Sequence, residues 1–284
     1  MAMDIDLDTY REHSLDTWEE MAPGWEERNE WMAEVAGLIN EWVLERADPQ
    51  PGHTVLDVAA GPGDLGHQAA ARVGPEGRTL STDFSPEMVE VARRLGAAQG
   101  LENVEYRVLD AERMHLEDES VDAVVCRWGY MLMADPAAAL TETRRVLRGG
   151  GALSFAVWAS PERNPWAAVP AMTLVQRGHM PPPEPSAPGI FAMADPERIR
   201  SLVTEAGFDE LELEEVRFDF RYADFDDFWD VLVSLAGPLA RALKALPEEE
   251  RQATREAIEE SISSFREEDG SYAMSAVCWG AVAR

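Results

Sequence analysis

Between residues 51 and 160 the chain alternates short, nearly continuous apolar runs with stretches of helical period. The runs are TVLDVA (54–59), RTLSTDF (78–84), VEYRVLD (104–110), VDAVVCRW (121–128) and GALSFAVWA (151–159). Apolar runs without polar alternation suit parallel strands covered on both faces. Ser85-Pro86, Asp135-Pro136 and Asp195-Pro196 each set a capping side chain before a proline at the first helical position. Behind the first, Met88, Val91, Ala92 and Leu95 repeat at i, i+3, i+4, i+7. Behind the third, Ile199, Leu202, Val203 and Ala206 do the same, and Gly207 closes the helix. Two late strand patterns, 211–220 and 272–283, bring the strands to seven. The alternation predicts an α/β, doubly wound, mostly parallel seven-stranded sheet.

Three segments stand outside that alternation. Residues 1–50 predict N-terminal cap helices, with Trp31, Val35, Leu38, Ile39 and Trp42 on one apolar face. Residues 161–190 read as a proline-rich cap loop. Residues 223–269 read as a helical cap insertion, whose first helix carries Phe225, Phe228, Trp229, Leu232 and Val233 on one stripe. The α/β core then occupies 51–160, continues through 191–222, and ends with a final strand in 270–284.

The charge narrows the partners. Acidic residues number 54 against 25 basic, a formal net charge of -29. Such a surface repels phosphate backbones and anionic lipids, so neither nucleic acid nor membrane is the expected partner. No apolar run approaches the ~20 residues of a membrane span, and the acidic start does not read as a signal peptide. Cys126 and Cys278 are the only cysteines. Without metal-ligand neighbours they read as buried hydrophobes in a reducing, cytoplasmic setting.

The informative stretch is DVAAGPGDLGHQ (57–68), where Gly61, Gly63 and Gly66 make a literal G-x-G-x-x-G between a strand and a helix. That pattern cradles pyrophosphate in dinucleotide enzymes. Here Asp57, Asp64, Asp83 and Asp110 converge on the same edge of the sheet, which favours a cationic, hydroxyl-rich ligand without phosphate. S-adenosylmethionine, with its ammonium, sulfonium, ribose diol and adenine amine, is such a ligand.

From about Pro51 to Phe220 the chain resembles the class I S-adenosylmethionine-dependent methyltransferases. TVLDVAAGPGDLG (54–66) is similar to the family's first motif. ETRRVLRGGGALSFAVW (142–158) and GIFAMADPERIRSLVTEAGF (189–208) are similar to segments of the subgroup that includes ubiquinone/menaquinone-biosynthesis C-methyltransferases. The resemblance implies a Rossmann-like methyltransferase fold and a pocket for S-adenosylmethionine, released as S-adenosylhomocysteine. It implies that the backbone at Ala59, Gly61 and Gly63 admits the methionine moiety, with Asp57 near its ammonium. Asp83 would take the ribose hydroxyls, and Phe84 and Met88 would flank the adenine. Asp110 would accept from the adenine amine, with Ala111 and Glu112 beside it. Trp25 lies in a segment resembling one that closes over the cofactor. Arg127 with Trp128, where the fourth strand ends at the topological switch point, would line the transfer site. Arg28 is a candidate for the cofactor carboxylate, whereas Asp64 reads as a helix-dipole partner.

The acceptor side is less marked. In-line displacement at a methyl group rests largely on positioning. A general base is needed only where the acceptor must lose a proton. His13, His115, His179 and Tyr130 are the candidates, and each also reads as an ordinary surface or structural residue. His53 and His67 read as structural. No metal-ligand spacing is present. The expected reaction is methyl transfer to the O, N or C atom of a small, partly apolar acceptor, by a monomer or homodimer. Two alternatives stay open: a non-catalytic S-adenosylmethionine-binding regulator, and an NAD-dependent oxidoreductase.

Overall fold

The computed structural model describes residues 6–183 and 187–284. One seven-stranded sheet organises the chain: β1 (Thr54–Val58), β2 (Arg78–Asp83), β3 (Val104–Val108), β4 (Val121–Arg127), β5 (Leu147–Trp158), β6 (Leu211–Tyr222) and β7 (Tyr272–Ala283). Their order is β3-β2-β1-β4-β5-β7-β6, parallel except for β7, which runs antiparallel to both neighbours. β1 therefore sits beside both β2 and β4, and the chain reverses its direction of winding between β1 and β4. In open α/β sheets that switch point, at the carboxyl ends of the strands, is where ligands bind.

The helices of the alternation are α4 (Asp64–Val73), α5 (Pro86–Ala98), α6 (Pro136–Val146) and α8 (Pro196–Glu205). The caps form as their sequences dictate. The side chains of Ser85, Asp135 and Asp195 accept from the amides of Met88, Ala138 and Glu197. The central strands are buried on both faces, Val55, Leu56, Val124 and Val125 fully so.

The remaining helices are α1 (Leu7–Glu27), α2 (Asn29–Val35), α3 (Gly37–Ala47), α7 (Pro165–Gln176), α9 (Phe225–Leu235), α10 (Pro238–Lys244) and α11 (Glu248–Ser261). α3 packs against β4 and β5, while α1 packs on α5 and α9. The α1–α9 crossing is close: a Cβ at Gly24 would stand 2.5 Å from the Ser234 carbonyl oxygen. Arg28 ties the end of α1 to α9 through Asp227 at 3.0 Å.

Two expectations change. The apolar stripe of the N-terminal segment breaks between α2 and α3, so Leu38 turns outward and is 53% exposed. Trp42 still packs inward, against Gly280. The stretch read as a proline-rich loop contains α7. Pro165 occupies its first turn, where no amide donor is required, and the helix continues past Pro170. Residues 184–186 of that stretch lie outside the described residues.

Candidate functional site

The glycine turn joins β1 to α4. Ala59, Gly61 and Gly63 all take left-handed backbone, with φ of 52°, 54° and 85°. Gly61 and Gly63 differ in what surrounds them. A Cβ on Gly61 would meet no protein atom within 4 Å, whereas one on Gly63 would stand 2.9 Å from His67 Nε2. Gly61 thus leaves space in front of the turn, and Gly63 lets the turn close onto the helix behind it. Asp83, at the end of β2, braces the turn. One carboxylate oxygen accepts from the Gly61 amide at 2.9 Å, the other from the Ser85 amide at 2.9 Å. Burial pushes its pKa up against these bonds.

Beneath the turn lies a buried charge cluster. Arg127, at the end of β4, donates from Nη2 to Asp64 Oδ1 at 2.7 Å and from Nη1 to Asn40 Oδ1 at 2.7 Å. Asn40 in turn donates to Asp64 Oδ2 at 2.8 Å. The guanidinium also lies over the Trp128 ring, 4.9 Å from its centroid. Desolvation works to raise the Asp64 pKa, but Arg127 and Asn40 outweigh it and hold it below the usual carboxylate range. Asp57 has no such partner. It is 1% exposed, no side chain hydrogen-bonds its oxygens, and desolvation followed by the Asp64 charge pushes its pKa well up against the Arg127 charge and the Gly66 amide.

In front of the turn a cavity of about 490 Å³ runs from the sheet edge under α1 and α9. At one end its wall holds Ala59, Gly61, Asp83, Phe84, Met88, Asp110, Ala111 and Glu112. At the other it holds Trp31, Trp158, Trp166, Phe220, Tyr222 and Phe228, with Met131, Leu132 and Met133 between. The aromatic rings pack on one another: Trp128 on Trp158 at 4.5 Å, Trp158 on Trp166 at 4.9 Å, Trp166 on Phe220 at 4.9 Å, and Trp31 on Phe220 at 5.8 Å. β6 supplies its share by period-two alternation, Phe218, Phe220 and Tyr222 sharing one face. α1 roofs the acidic end: Arg11 binds Glu112 at 2.5 Å and the Tyr10 hydroxyl donates to the Leu132 carbonyl at 2.8 Å.

Of the residues expected around a cofactor, Trp25, Ala59, Gly61, Asp83, Phe84, Met88, Asp110, Ala111, Glu112 and Arg127 all reach this cavity. Asp57 and Gly63 do not line it; both lie behind the turn. Arg127 touches the cavity, but its guanidinium is spent on Asp64, Asn40 and Trp128, so it reads as a support beneath the site. Asp64, expected to answer the helix dipole, is Arg127's partner. Glu112 accepts from Arg11 and from the Asp135 amide, which ties the roof to the sheet edge. Arg28 pairs with Asp227 and lies away from the cavity. None of His13, His115, His179 or Tyr130 lines it; the fully buried Tyr130 hydroxyl pairs with Thr143. Sequence reasoning missed Tyr10 and Arg11 in the roof and the convergence of Trp158, Trp166 and Phe220. The alternation of β6 and the aromatic-rich composition of the segment holding Trp166 were the only signals for the last.

A methyltransferase domain family matches residues 49–175. The ubiquinone/menaquinone biosynthesis C-methyltransferase UbiE of Hydrogenovibrio crunogenus is 30% identical over 189 residues, covering 62% of this chain and 74% of that protein. UbiE of Bordetella avium is 39% identical over 121 residues, covering 42% of this chain and 47% of that protein. Of five curated relatives, the latter among them, the chain spans 29% to 51% of the length. Among solved structures, a Bacillus halodurans protein assigned as a methyltransferase superposes with a TM-score of 0.59 at 25% identity, over 86% of this chain and 97% of that one. The chain belongs to the class I S-adenosylmethionine-dependent methyltransferases. Within them it lies near the UbiE subgroup.

Proposed function

We propose that the protein transfers the methyl group of S-adenosylmethionine to a small, partly apolar acceptor and releases S-adenosylhomocysteine. The observation that carries this reading is the single cavity with two unlike ends. The acidic end fits the family's cofactor by the chemistry of its groups. Asp83 and Asp110 offer acceptor oxygens, and Gly61 leaves open space where a Cβ would stand. The two cations on the cavity wall among the described residues, Arg11 and Arg127, are both paired. A pyrophosphate would find acceptors where it needs donors, which argues against a nicotinamide dinucleotide. The cofactor supplies an electrophilic methyl group on a sulfonium. Asp83, Asp110 and the glycine turn would hold it, and the aromatic end would hold an apolar acceptor in line and keep water from the reacting atoms. Aromatic faces also favour a neighbouring cation.

The large acidic surplus supports a free small molecule over nucleic acid as the acceptor. No helix among the described residues is long and apolar enough to cross a membrane. The same reading places the protein in the cytoplasm as a monomer or homodimer. Thermal shift with S-adenosylmethionine, S-adenosylhomocysteine and NAD tests the cofactor. Incubation with methyl-labelled S-adenosylmethionine and a panel of apolar phenols, amines and enolisable ketones tests transfer. Stabilisation by NAD alone overturns the proposal. Tight binding of both adenosyl ligands without transfer to any member of a broad panel would favour a non-catalytic role.

A further inference from the structure

The cluster beneath the glycine turn has more negative groups than positive ones. Asp57 on β1, Asp64 on α4 and Asp83 on β2 surround one guanidinium, that of Arg127 on β4. Asp64 holds the guanidinium at two nitrogens, and Asn40 takes a further bond. Asp83 is answered by the amides of Gly61 and Ser85. Asp57 alone is left with two buried oxygens that no side chain bonds, and only the Gly66 amide and the shared Arg127 charge favour its ionised form. The other titratable groups near the cluster are the Cys126 thiol and His67, and both stay uncharged: burial pushes the thiol up to about 12 and the imidazole down. The fold nonetheless seats the Asp57 carboxyl closely, since a Cβ on Gly66 would stand 2.6 Å from Asp57 Oδ2. A buried carboxyl whose one neighbouring cation is already claimed by another carboxylate keeps its proton. Asp57 lies behind the turn that leads into α4, and the cavity lies in front.

We infer that Asp57 carries a proton in the cofactor-free protein and surrenders it when a cationic cofactor binds in front of the glycine turn. Binding is then coupled to proton release. The inference rests on the cofactor reading above. The ligand's ammonium supplies the positive charge the cluster lacks, the carboxylate form becomes the stable one, and the proton leaves to solvent. The role of Asp57 is electrostatic and acts through the turn, which makes it a positioning residue. Because a proton is released on binding, affinity rises with pH until Asp57 is ionised in the free protein as well.

Titration calorimetry of the full chain with S-adenosylmethionine at pH 6.0, in buffers of different ionisation enthalpy, reads the proton count directly. An α-amino group, with a pKa of about 7.7–8.0, stays protonated there. The slope of binding enthalpy against buffer ionisation enthalpy should give about 0.5–1 proton released. Between pH 5.5 and 7 the affinity should climb by about tenfold. Asp57→Asn should bind with a slope near zero and a flat pH profile. Infrared difference spectra of the wild-type protein supply a second readout, in which the carbonyl band of a protonated carboxylic acid disappears on binding. Binding by wild type with no proton release overturns the inference, as does an Asp57→Asn protein that retains the wild-type slope, since Asp83 would then be the source. Absence of binding by wild type overturns the cofactor reading itself.

Discussion

The two ends of the cavity are built by different rules. The acidic end comes from the carboxyl ends of β1, β2 and β3, each contributing residues within a few positions of a strand terminus: Ala59 and Gly61, Asp83 and Phe84, Asp110 and Ala111. The aromatic end comes from α2, β5, α7, β6 and α9, through Trp31, Trp158, Trp166, Phe220 and Phe228. The first is local chemistry placed by the sheet; the second exists only once distant segments have packed. Binding at the acidic end therefore depends on backbone geometry and a few polar atoms, whereas binding at the aromatic end is spread over many surfaces. Single substitutions should show that asymmetry.

The largest effect should come where the two ends share a foundation. Arg127 holds Asp64 at the start of α4 and lies against Trp128, the first ring of the aromatic stack. Arg127→Ala leaves Asp64 and Asp57 buried without a cation. It should cost about 3–5 kcal/mol of stability, the range for breaking a buried pair from one side. Urea unfolding of the variant and wild type at pH 7.5 measures it. Because the Asp64 pKa is lowered in the fold, its contribution is present above the unfolded carboxylate pKa and is lost as pH falls through the folded value. The gap between variant and wild type should narrow toward acid. A gap that is small at pH 7.5 would mean the two ends stand independently.

Gly61→Val should strike the acidic end alone. A β-branched residue at φ 54° is strained, and its side chain would enter the space left open before the turn. We expect cofactor affinity to fall by more than about 100-fold, near 2.7 kcal/mol, with the aromatic end still able to quench indole fluorescence on binding an apolar probe such as naphthalene. Gly63→Val should instead damage the fold, since its side chain meets His67. Intact cofactor binding in Gly61→Val would remove the glycine turn from the ligand site.

This contrast also sets how much the sequence reveals. The strands, three helix caps and ten cavity-lining residues were legible because each depends on a short pattern with one physical meaning. Arg127 was legible in place but not in role: it lines the cavity at the switch point as its position implies, while its charge is claimed by Asp64 and Asn40, residues 63 and 87 positions away. Leu38 misleads because a helical stripe read across 31–42 assumes one continuous helix, and the chain breaks before Gly37. The wealth of Trp, Phe and Met in segments 1–50, 160–190 and 224–268 already suits an apolar acceptor cavity, but which residues build the aromatic end was not legible. Each of its residues satisfies the requirements of an ordinary amphipathic helix or strand, and nothing local marks which ones meet.

Asp83→Ala is the milder probe of the acidic end. The carboxylate braces Gly61 and Ser85 and retains acceptor capacity toward the cavity. Losing charge-assisted hydrogen bonds of this kind should weaken cofactor binding by roughly 1.5–3 kcal/mol. Calorimetric titration with S-adenosylhomocysteine reads that directly. An unchanged dissociation constant would confine Asp83 to bracing the turn.

The smallest effect is expected at the aromatic end, and it discriminates best between a binding surface and mere packing. Trp166 is half-buried on α7, its indole held by Asn164 Oδ1 at 3.3 Å and leaning on Trp158 and Phe220. Asn164 is itself fixed by the backbone of β7, through the Val277 amide and carbonyl. The ring is thus rigidly presented before any ligand arrives, the condition under which an aromatic wall gives affinity without ordering cost. Trp166→Leu keeps an apolar side chain there but removes the flat face and the anchor. With many rings sharing the load, we expect about tenfold weaker acceptor binding, near 1.4 kcal/mol. Cofactor affinity should be unchanged, because Trp166 stands at the far end from Asp83 and Asp110. A rise in acceptor KM with kcat preserved marks uniform binding by the ring. An equal fall in kcat and kcat/KM would mean the ring also holds the acceptor in line for transfer. Loss of cofactor affinity in this variant would show the two ends to be one surface.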